Sequence, residues 1–263
     1  MTATNQAVDS QQWRLSLGHV IRSEYLKLVT LRSLRWTFVI TLILLVGSNL
    51  WAAILVQPED DPAQLRFVLT GTVVAELTAL VLGVLYVTNE YSSGMVKLTF
   101  SGVPRRNTVV AAKVIVLGVV GFVVYAIAEF VSFFLSSAIV TAKATEISFA
   151  TEGVFAALVG QVVVLTFMTL LGSFLGWIFR STALSIVIGF ALLFLSYALF
   201  LLSLTPLIPQ VVGEYAPATL FLTTLSGFPL VPSLTLLELS IAAVTYLAVL
   251  WIIAAAVVSR RDV

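Results

Sequence analysis

The chain has 263 residues, of which 60% are hydrophobic and 10% charged, and its net charge at neutral pH is +1. Soluble domains carry about 25% charged residues, so this composition, with a mean hydropathy of +1.08, excludes a water-soluble globule. The absence of cysteine excludes disulfides, thiolate catalysis and cysteine-based metal sites. Because backbone polar groups cannot stay unpaired in lipid, the sequence predicts an all-α integral membrane protein.

The N-terminal region changes character at Trp13. Residues 1–12 are polar and are predicted to form a disordered tail. In residues 13–35, apolar side chains recur at helical spacing with basic residues mostly on the other faces, which is typical of an amphipathic helix. We expect this helix to lie along the inner membrane surface. An ordinary solvated leader helix is the alternative.

Six apolar segments follow, and each is long enough to cross about 30 Å of hydrocarbon at 1.5 Å per residue. Their predicted bounds are Trp36–Val56, Phe67–Thr88, Val114–Val140, Val154–Phe179, Ala183–Leu204 and Leu236–Val258. Residues 36–263 are therefore predicted to form one transmembrane domain of six helices.

The placement of basic residues predicts the orientation of these spans. With the N-terminus in the cytoplasm, all but two of the 14 Lys and Arg residues fall on the inner side. The two on the outer side are Arg66 and Lys143. This bias follows the positive-inside rule and predicts that both termini are cytoplasmic.

Two outer loops differ in composition. The first, residues 57–65, carries Glu59, Asp60 and Asp61, which we interpret as a solvated turn rather than a cation site. The second, Thr205–Thr235, holds five prolines and one charge, and its apolar part is too short to span. It is predicted to form short outer or re-entrant helices, either as a lid or as a passive cap. Thr235 and Glu238 form a capping box at the start of the last span.

Small residues four apart allow close approach between membrane helices. Gly172 and Gly176 form such a pair in the fourth span, and Gly118 and Gly121 begin a similar stripe in the third. We predict that these four glycines belong to helix-packing faces.

Catalytic motifs are missing from the sequence. The single histidine, His19, lies in the leader, and no Gly-x-x-x-x-Gly-Lys-Ser/Thr phosphate loop occurs. The chain is therefore not expected to be an enzyme, nor to bind a cofactor or metal of its own.

Glu76 and Glu129 lie at similar predicted depth inside two antiparallel spans. A carboxylate within the bilayer is costly and indicates function by default. With Tyr125, they are candidates for a substrate pathway or gate. The alternative is a structural role, in which each is protonated and hydrogen-bonded to Thr72, Tyr125 or Ser132.

Residues 89–113 form the one sizeable cytoplasmic segment between two spans, and they mix basic residues with glycine, proline and aromatics. Four features together resemble the permease of ABC-2 type exporters, in the small actinobacterial style. They are the leader Ile21–Ser33, the motif Asn89-Glu-Tyr-Ser-Ser-Gly94 with Val103-Pro-Arg-Arg106 and Ala112-Lys113, the run Leu171–Gly176 leading into Phe179-Arg-Ser181, and the long loop before the sixth span.

The resemblance implies a dimer of permease chains, served by two copies of a separate subunit that binds ATP and Mg²⁺. It also implies that a cytoplasmic coupling helix lies within residues 89–113. Glu90–Phe100 is predicted to form this helix, ended by Ser101-Gly102, with a turn at Pro104. The predicted motor-coupling residues are Glu90, Tyr91, Gly94, Met95, Lys97, Leu98, Phe100, Pro104, Arg105 and Arg106. For Arg105, Arg106 and Lys113, anchoring at the lipid headgroups is an equal alternative.

The function expected from this resemblance is outward movement of a drug, peptide or lipid-like substrate across the cell membrane. The expected partners are the ATP-binding subunit, a second permease copy in a homodimer, and membrane lipid, with no nucleic acid. Two alternatives stay open. One is a proton-coupled secondary transporter using Glu76 and Glu129, and the other is a membrane scaffold or sensor that transports nothing.

Overall fold

The computed structural model describes residues 17–55, 73–102, 106–143, 154–203, 205–207 and 236–260. Within these ranges the chain is helical and contains no strand, which confirms the all-α prediction. The helices are α1 (Leu17–Thr30), α2 (Arg32–Leu55), α3 (Val73–Ser92), α4 (Met95–Gly102), α5 (Arg106–Thr141), α6 (Val154–Phe179), α7 (Thr182–Ser203) and α8 (Leu236–Arg260). The predicted tail, the acidic loop 57–65 and the re-entrant segment from residue 208 onward lie outside the described residues.

Five of these helices are long and apolar enough to cross a membrane. They are α2, α5, α6, α7 and α8, which correspond to the first, third, fourth, fifth and sixth predicted spans. The predicted second span corresponds to α3, and its first residues, 67–72, lie outside the described part of the chain. The described part of α3 has 20 residues and carries Glu76 and Glu90, which lower its hydropathy.

The leader and the first span meet earlier than predicted. We expected one helix to extend to Arg35, but α1 ends at Thr30 and α2 begins at Arg32. The Thr30 hydroxyl donates a 2.6 Å hydrogen bond to the Leu26 carbonyl, a contact that bends helices. Arg32 and Arg35 therefore belong to the first turn of the spanning helix.

Helix α6 is the centre of the bundle and is buried around most of its circumference. Its closest neighbour is α3, because glycines remove the side chains where the two backbones cross. A Cβ added to Gly172 would stand 2.0 Å from the Leu80 carbonyl oxygen, and one added to Gly83 would stand 1.8 Å from that of Thr169. A Cβ on Gly176 would meet Val87 at 3.0 Å.

The glycines of α5 do not make such an approach. A Cβ on Gly118 would meet the Leu170 side chain at an ordinary 3.7 Å, and one on Gly121 would meet only the ring of Tyr125 in the same helix. The stripe predicted in the third span therefore does not bring two backbones together as Gly172 does.

The apolar core separates into groups at opposite ends of the bundle. One group joins Leu28 and Leu34 to Val109 and to Ala254 and Val258 near the end of α8. Another joins Ala53 at the end of α2 to Val140 and Val154. The start of α2 and the end of α8 therefore lie on the same side of the bundle, which we call the α1 side.

Candidate functional site

The segment between α3 and α5 contains a break that was not predicted from the sequence. Helix α3 continues through Glu90 and Tyr91 to Ser92, and a new helix starts at Met95. Gly94 between them has a φ of 72°, a left-handed conformation in which glycine is favoured. The Gly94 amide donates to the Tyr91 carbonyl over 3.2 Å, which ends α3. Glu90–Phe100 is therefore not one continuous helix, although α4 ends at Gly102 as expected.

Helix α4 is exposed on one face and packed on the other. Leu98 is 72% exposed, and Met95 and Lys97 are also exposed. On the opposite face Val96 is buried, and the Phe100 ring lies 6.3 Å from the ring of Trp177 in α6. Pro104 and Arg105 lie outside the described residues, as does the side chain of Arg106. Helix α4 is thus a short rod on the α1 side, with an apolar and basic face left open.

Tyr91 faces the bundle instead of lying on that open face. Its ring meets Trp177 edge to face with centroids 5.9 Å apart, and the Arg180 guanidinium lies 5.5 Å from the ring centroid. Arg180 itself joins α6 to α7 with a φ of 55°, which is uncommon for a residue other than glycine. Tyr91 therefore connects the end of α3 to the junction of α6 and α7.

Glu90 is also buried, and it belongs to a cluster of four charged side chains on the α1 side. Lys113 of α5 donates to Glu24 over 2.6 Å and to Glu90 over 2.8 Å. Lys27 of α1 donates to the same two carboxylates over 2.6 and 2.8 Å. Two acids and two bases thus join α1, α3 and α5, and we call this group the charge cluster.

Tyr86 of α3 completes the surroundings of the charge cluster. Its hydroxyl donates to the Glu24 carbonyl over 3.1 Å, and its ring lies 4.4 Å from the Lys113 ammonium. The ammonium therefore has two carboxylates and an aromatic face around it, which offsets its removal from water.

The charge cluster changes the ionisation of its members. Burial by itself would raise the pKa of Glu90, but Lys113 and Lys27 outweigh it and hold that pKa below its usual range. Burial opposes the charge on Lys27 as well, yet Glu24 and Glu90 raise the pKa of Lys27 above its usual value. Both pKa shifts favour the ionised forms, the carboxylate of Glu90 and the ammonium of Lys27.

Sequence reasoning missed the charge cluster. Lys113 was interpreted as a headgroup anchor or a motor contact, but it is 1% exposed and cannot reach either. Glu24 was noticed only as part of the leader motif. One feature of the sequence could have indicated it. Glu24 and Lys27 are three residues apart and therefore share one helix face, and two further charged residues, Glu90 and Lys113, lie near the ends of predicted spans.

A second group of polar side chains lies deep among the spanning helices. Glu129 of α5 is fully buried and accepts a 3.4 Å hydrogen bond from the Asn49 amide of α2. Glu76 of α3 is hydrogen-bonded to Gln161 of α6. Of the partners expected from the sequence, Thr72 lies outside the described residues. The structure pairs each carboxyl group with an amide side chain of a neighbouring helix instead of with Tyr125 or Ser132.

Tyr125 is bonded elsewhere. Its hydroxyl is 3.0 Å from that of Thr169, whose own hydrogen goes to the Leu165 carbonyl over 2.8 Å, so Tyr125 donates. The Phe38 ring stacks on the Tyr125 ring at 5.6 Å. Tyr125 therefore connects α5 to α6 and α2 inside the bundle.

Two further predicted site residues concern the start of α8. Glu238 is in the first turn of α8 and exposed, while its predicted capping partner Thr235 lies outside the described residues. Among the residues that the structure describes, no group of three or more His, Asp or Glu side chains is placed to hold a metal ion.

No protein-family model and no curated protein matches this chain. The features of the chain that bear on its function are therefore the charge cluster, α4 and the polar pairs between the spans.

Proposed function

We propose that this chain is the membrane-spanning permease subunit of an ABC-2 type exporter. In this proposal six helices cross the cell membrane, α3 included, and both termini are cytoplasmic. ATP and Mg²⁺ are bound by a separate subunit present in two copies, and two permease chains form the translocation unit. The substrate is a drug, peptide or lipid-like molecule.

The observation that carries the proposal is the exposed face of α4. A short helix that joins two long helices and leaves Met95, Lys97 and Leu98 open to solvent is suited to contact another protein. Single exposed apolar residues are common, but here they share a short element with a basic residue. The opposite face is held to α6 through Phe100 and Trp177.

The charge cluster supports the transmission of force from such a contact. It fastens the inner end of α3 and the start of α5 to α1, so that the helices flanking α4 move with the leader helix. A push on α4 would then be passed to α1, α3 and α5 together. ATP-driven closure of the partner subunits would supply this push.

The experiment compares two substitutions of equal chemistry on opposite sides of the bundle. Leu98→Asp places a charge on the open face of α4, and Leu207→Asp does the same at a residue of matched exposure, 72% against 74%. The complex with its ATP-binding subunit is purified from the native host, and ATPase activity and ATP-driven export in vesicles are measured.

We expect Leu98→Asp to release the ATPase subunit or to separate hydrolysis from export, and Leu207→Asp to leave both unchanged. Undiminished export with Leu98→Asp would contradict the assignment of α4. Purification of an active transporter without any ATP-hydrolysing subunit would contradict the proposal as a whole.

A second candidate function is proton-coupled secondary transport, favoured by the carboxyl groups of Glu76 and Glu129 inside the bundle. Among the residues that the structure describes, each is paired with a neutral amide and not with a base, so each can exchange a proton without breaking an ion pair there. This candidate would be favoured if transport is abolished by an uncoupler, is independent of ATP and is lost in Glu129→Gln. ATP-driven transport that survives the double replacement of Glu76 and Glu129 by Gln would exclude it.

A further inference from the structure

A lateral groove opens between α1, α2 and α5 on the α1 side of the bundle. Its volume is about 410 Å³. Each of the three helices contributes a pair of side chains to its lining: Tyr25 and Val29 of α1, Arg35 and Val39 of α2, and Val120 and Val124 of α5. The groove begins beside the first turn of α2 and extends along α5 toward the middle of the bundle.

Water is a poor occupant of this groove. A stable buried water needs two to four polar partners, and the side chains that line the groove are apolar apart from Tyr25 and Arg35. Val29 and Val39 are exposed there, as are the outward apolar side chains of the spanning helices. The groove is therefore continuous with the surface that faces lipid, and an apolar chain suits it.

The mouth of the groove is positively charged. Arg35 lines it and makes no side-chain ion pair among the residues that the structure describes. Arg22 lies three residues before Tyr25, on the same face of α1. The nearby Glu24 is buried and already held by Lys27 and Lys113, so it does not neutralise Arg35.

The neighbouring tryptophan indicates that the mouth lies at the depth of the headgroups. Trp36, next to Arg35, is exposed, and tryptophan is enriched where a membrane helix passes through the interface. An arginine beside an apolar groove at this depth matches the two parts of an anionic phospholipid, because its guanidinium binds phosphate oxygens in a fixed geometry.

We propose that the α1–α2–α5 groove binds one anionic phospholipid from the leaflet on the α1 side. An acyl chain lies along Val39, Val120 and Val124, and the headgroup phosphate pairs with Arg35. This inference needs only that the chain is embedded in a membrane, so it stands or falls independently of the ATP-driven export proposed above.

The test uses the full chain in vesicles of equimolar phosphatidylglycerol and phosphatidylcholine with identical acyl chains. The protein is extracted in mild detergent, and retained lipid is identified by native mass spectrometry. We expect phosphatidylglycerol to be retained over phosphatidylcholine by about fivefold or more, the effect of one interfacial arginine. Arg35→Gln should abolish this preference, and Arg35→Lys should keep part of it.

The matched control is Arg32→Gln, which removes an exposed basic residue one turn earlier that does not line the groove. It should retain the preference. Val124→Trp, which fills the groove, should lower the retention of both lipids at an unchanged melting temperature. If Val124→Trp does not fold, the comparison of Arg35→Gln with Arg32→Gln decides alone.

Three results would overturn the inference. One is equal retention of the two lipids by the unaltered protein. Another is an equal loss in Arg32→Gln and Arg35→Gln, which would indicate general surface charge. The third is disulfide crosslinking between two copies of Val39→Cys in the bilayer, which would show that a second chain covers the groove.

Discussion

Lys113 lies two turns inside α5, where its ammonium is removed from water and held by Glu24 and Glu90. A buried ion pair is weak evidence for net stabilisation, because the desolvation of both partners opposes their attraction. The removal of one partner is nevertheless strongly destabilising, because it leaves the other charge buried and uncompensated. The charge cluster therefore fixes the position of α1 more than it adds to the free energy of folding.

The first prediction concerns this cation. Lys113→Met keeps most of the side-chain volume but leaves two carboxylates to share Lys27, so we expect a loss of about 3–5 kcal/mol in the free energy of unfolding. Lys97→Met, at an exposed position of α4, should change it by less than about 0.5 kcal/mol. Reversible unfolding in mixed micelles measures both. Equal effects of the two substitutions would show that the buried ion pairs do not hold the bundle together.

The second prediction concerns pH. Because Lys113 and Lys27 hold the pKa of Glu90 below its usual 4.5, the stabilisation from this carboxylate is fully present above pH 4.5. It is lost as the pH falls below 4.5 and through the lower pKa of the folded state. The difference in melting temperature between the unaltered protein and Glu90→Gln should therefore be constant from pH 7 to 5 and shrink below that.

Glu238→Gln, at an exposed carboxylate in the first turn of α8, is the control for this pH series. The difference in melting temperature between the unaltered protein and Glu238→Gln should not shrink below pH 5. If the difference in melting temperature between the unaltered protein and Glu90→Gln stays constant down to the lowest pH at which the protein is folded, Glu90 is not ionised within the charge cluster.

At the scale of helices, the contact between α3 and α6 depends on glycine. We predict that Gly172→Ala destabilises the protein, because its Cβ would stand 2.0 Å from the backbone oxygen of Leu80 and the two helices would have to separate. Gly47→Ala in α2 is the matched control, since its Cβ would meet nothing within 4 Å. The control should be neutral or stabilising by up to about 1 kcal/mol, as expected for alanine in a helix. If Gly172→Ala and Gly47→Ala shift the melting temperature in the same direction, the close crossing of α3 and α6 is refuted.

The helices were predictable because their apolar segments are long, and lipid leaves the backbone no alternative to helical hydrogen bonding. The expected contact role of Gly172 followed from its spacing to Gly176. The break at Gly94 was not predictable in this way, because Glu90–Phe100 is a good helical sequence and only the φ of Gly94 in the structure shows where the helix is interrupted. The backbone conformation at single turn residues decides where such a helix ends, and helix propensity along the sequence does not reveal that conformation.

The partners of the polar residues were harder to predict. Glu76 and Glu129 were recognised as buried, but their amide partners lie on helices distant in sequence. Glu24 and Lys113 are 89 residues apart and meet only because α1 folds back against α5. Spacing along one helix predicts a shared face. It does not predict which other helix covers that face.

At the scale of the whole molecule, the charge cluster bears on the number of spans. Helix α2 leaves the α1 side and is 24 residues long, about 36 Å at 1.5 Å per residue. Glu90 at the end of α3 nevertheless contacts Lys27 of α1, so α3 returns the chain to its starting side. At the other end of α2, the Lys143 ammonium donates to the carbonyls of Ala53 and Ile54, so α2 and α5 are parallel and their far ends meet.

This geometry predicts that α3 crosses the membrane, although its described part is not among the five helices that are long and apolar enough to do so. With the N-terminus in the cytoplasm, as proposed above, α4 is then cytoplasmic and Leu207 is outside. Because the chain has no cysteine, Leu98→Cys and Leu207→Cys each create a single labelling site. A membrane-impermeant maleimide added to intact cells should label Leu207→Cys and should reach Leu98→Cys only after permeabilisation. Labelling of Leu98→Cys in intact cells would place α4 outside, and the coupling of this helix to a cytoplasmic ATPase would then be excluded.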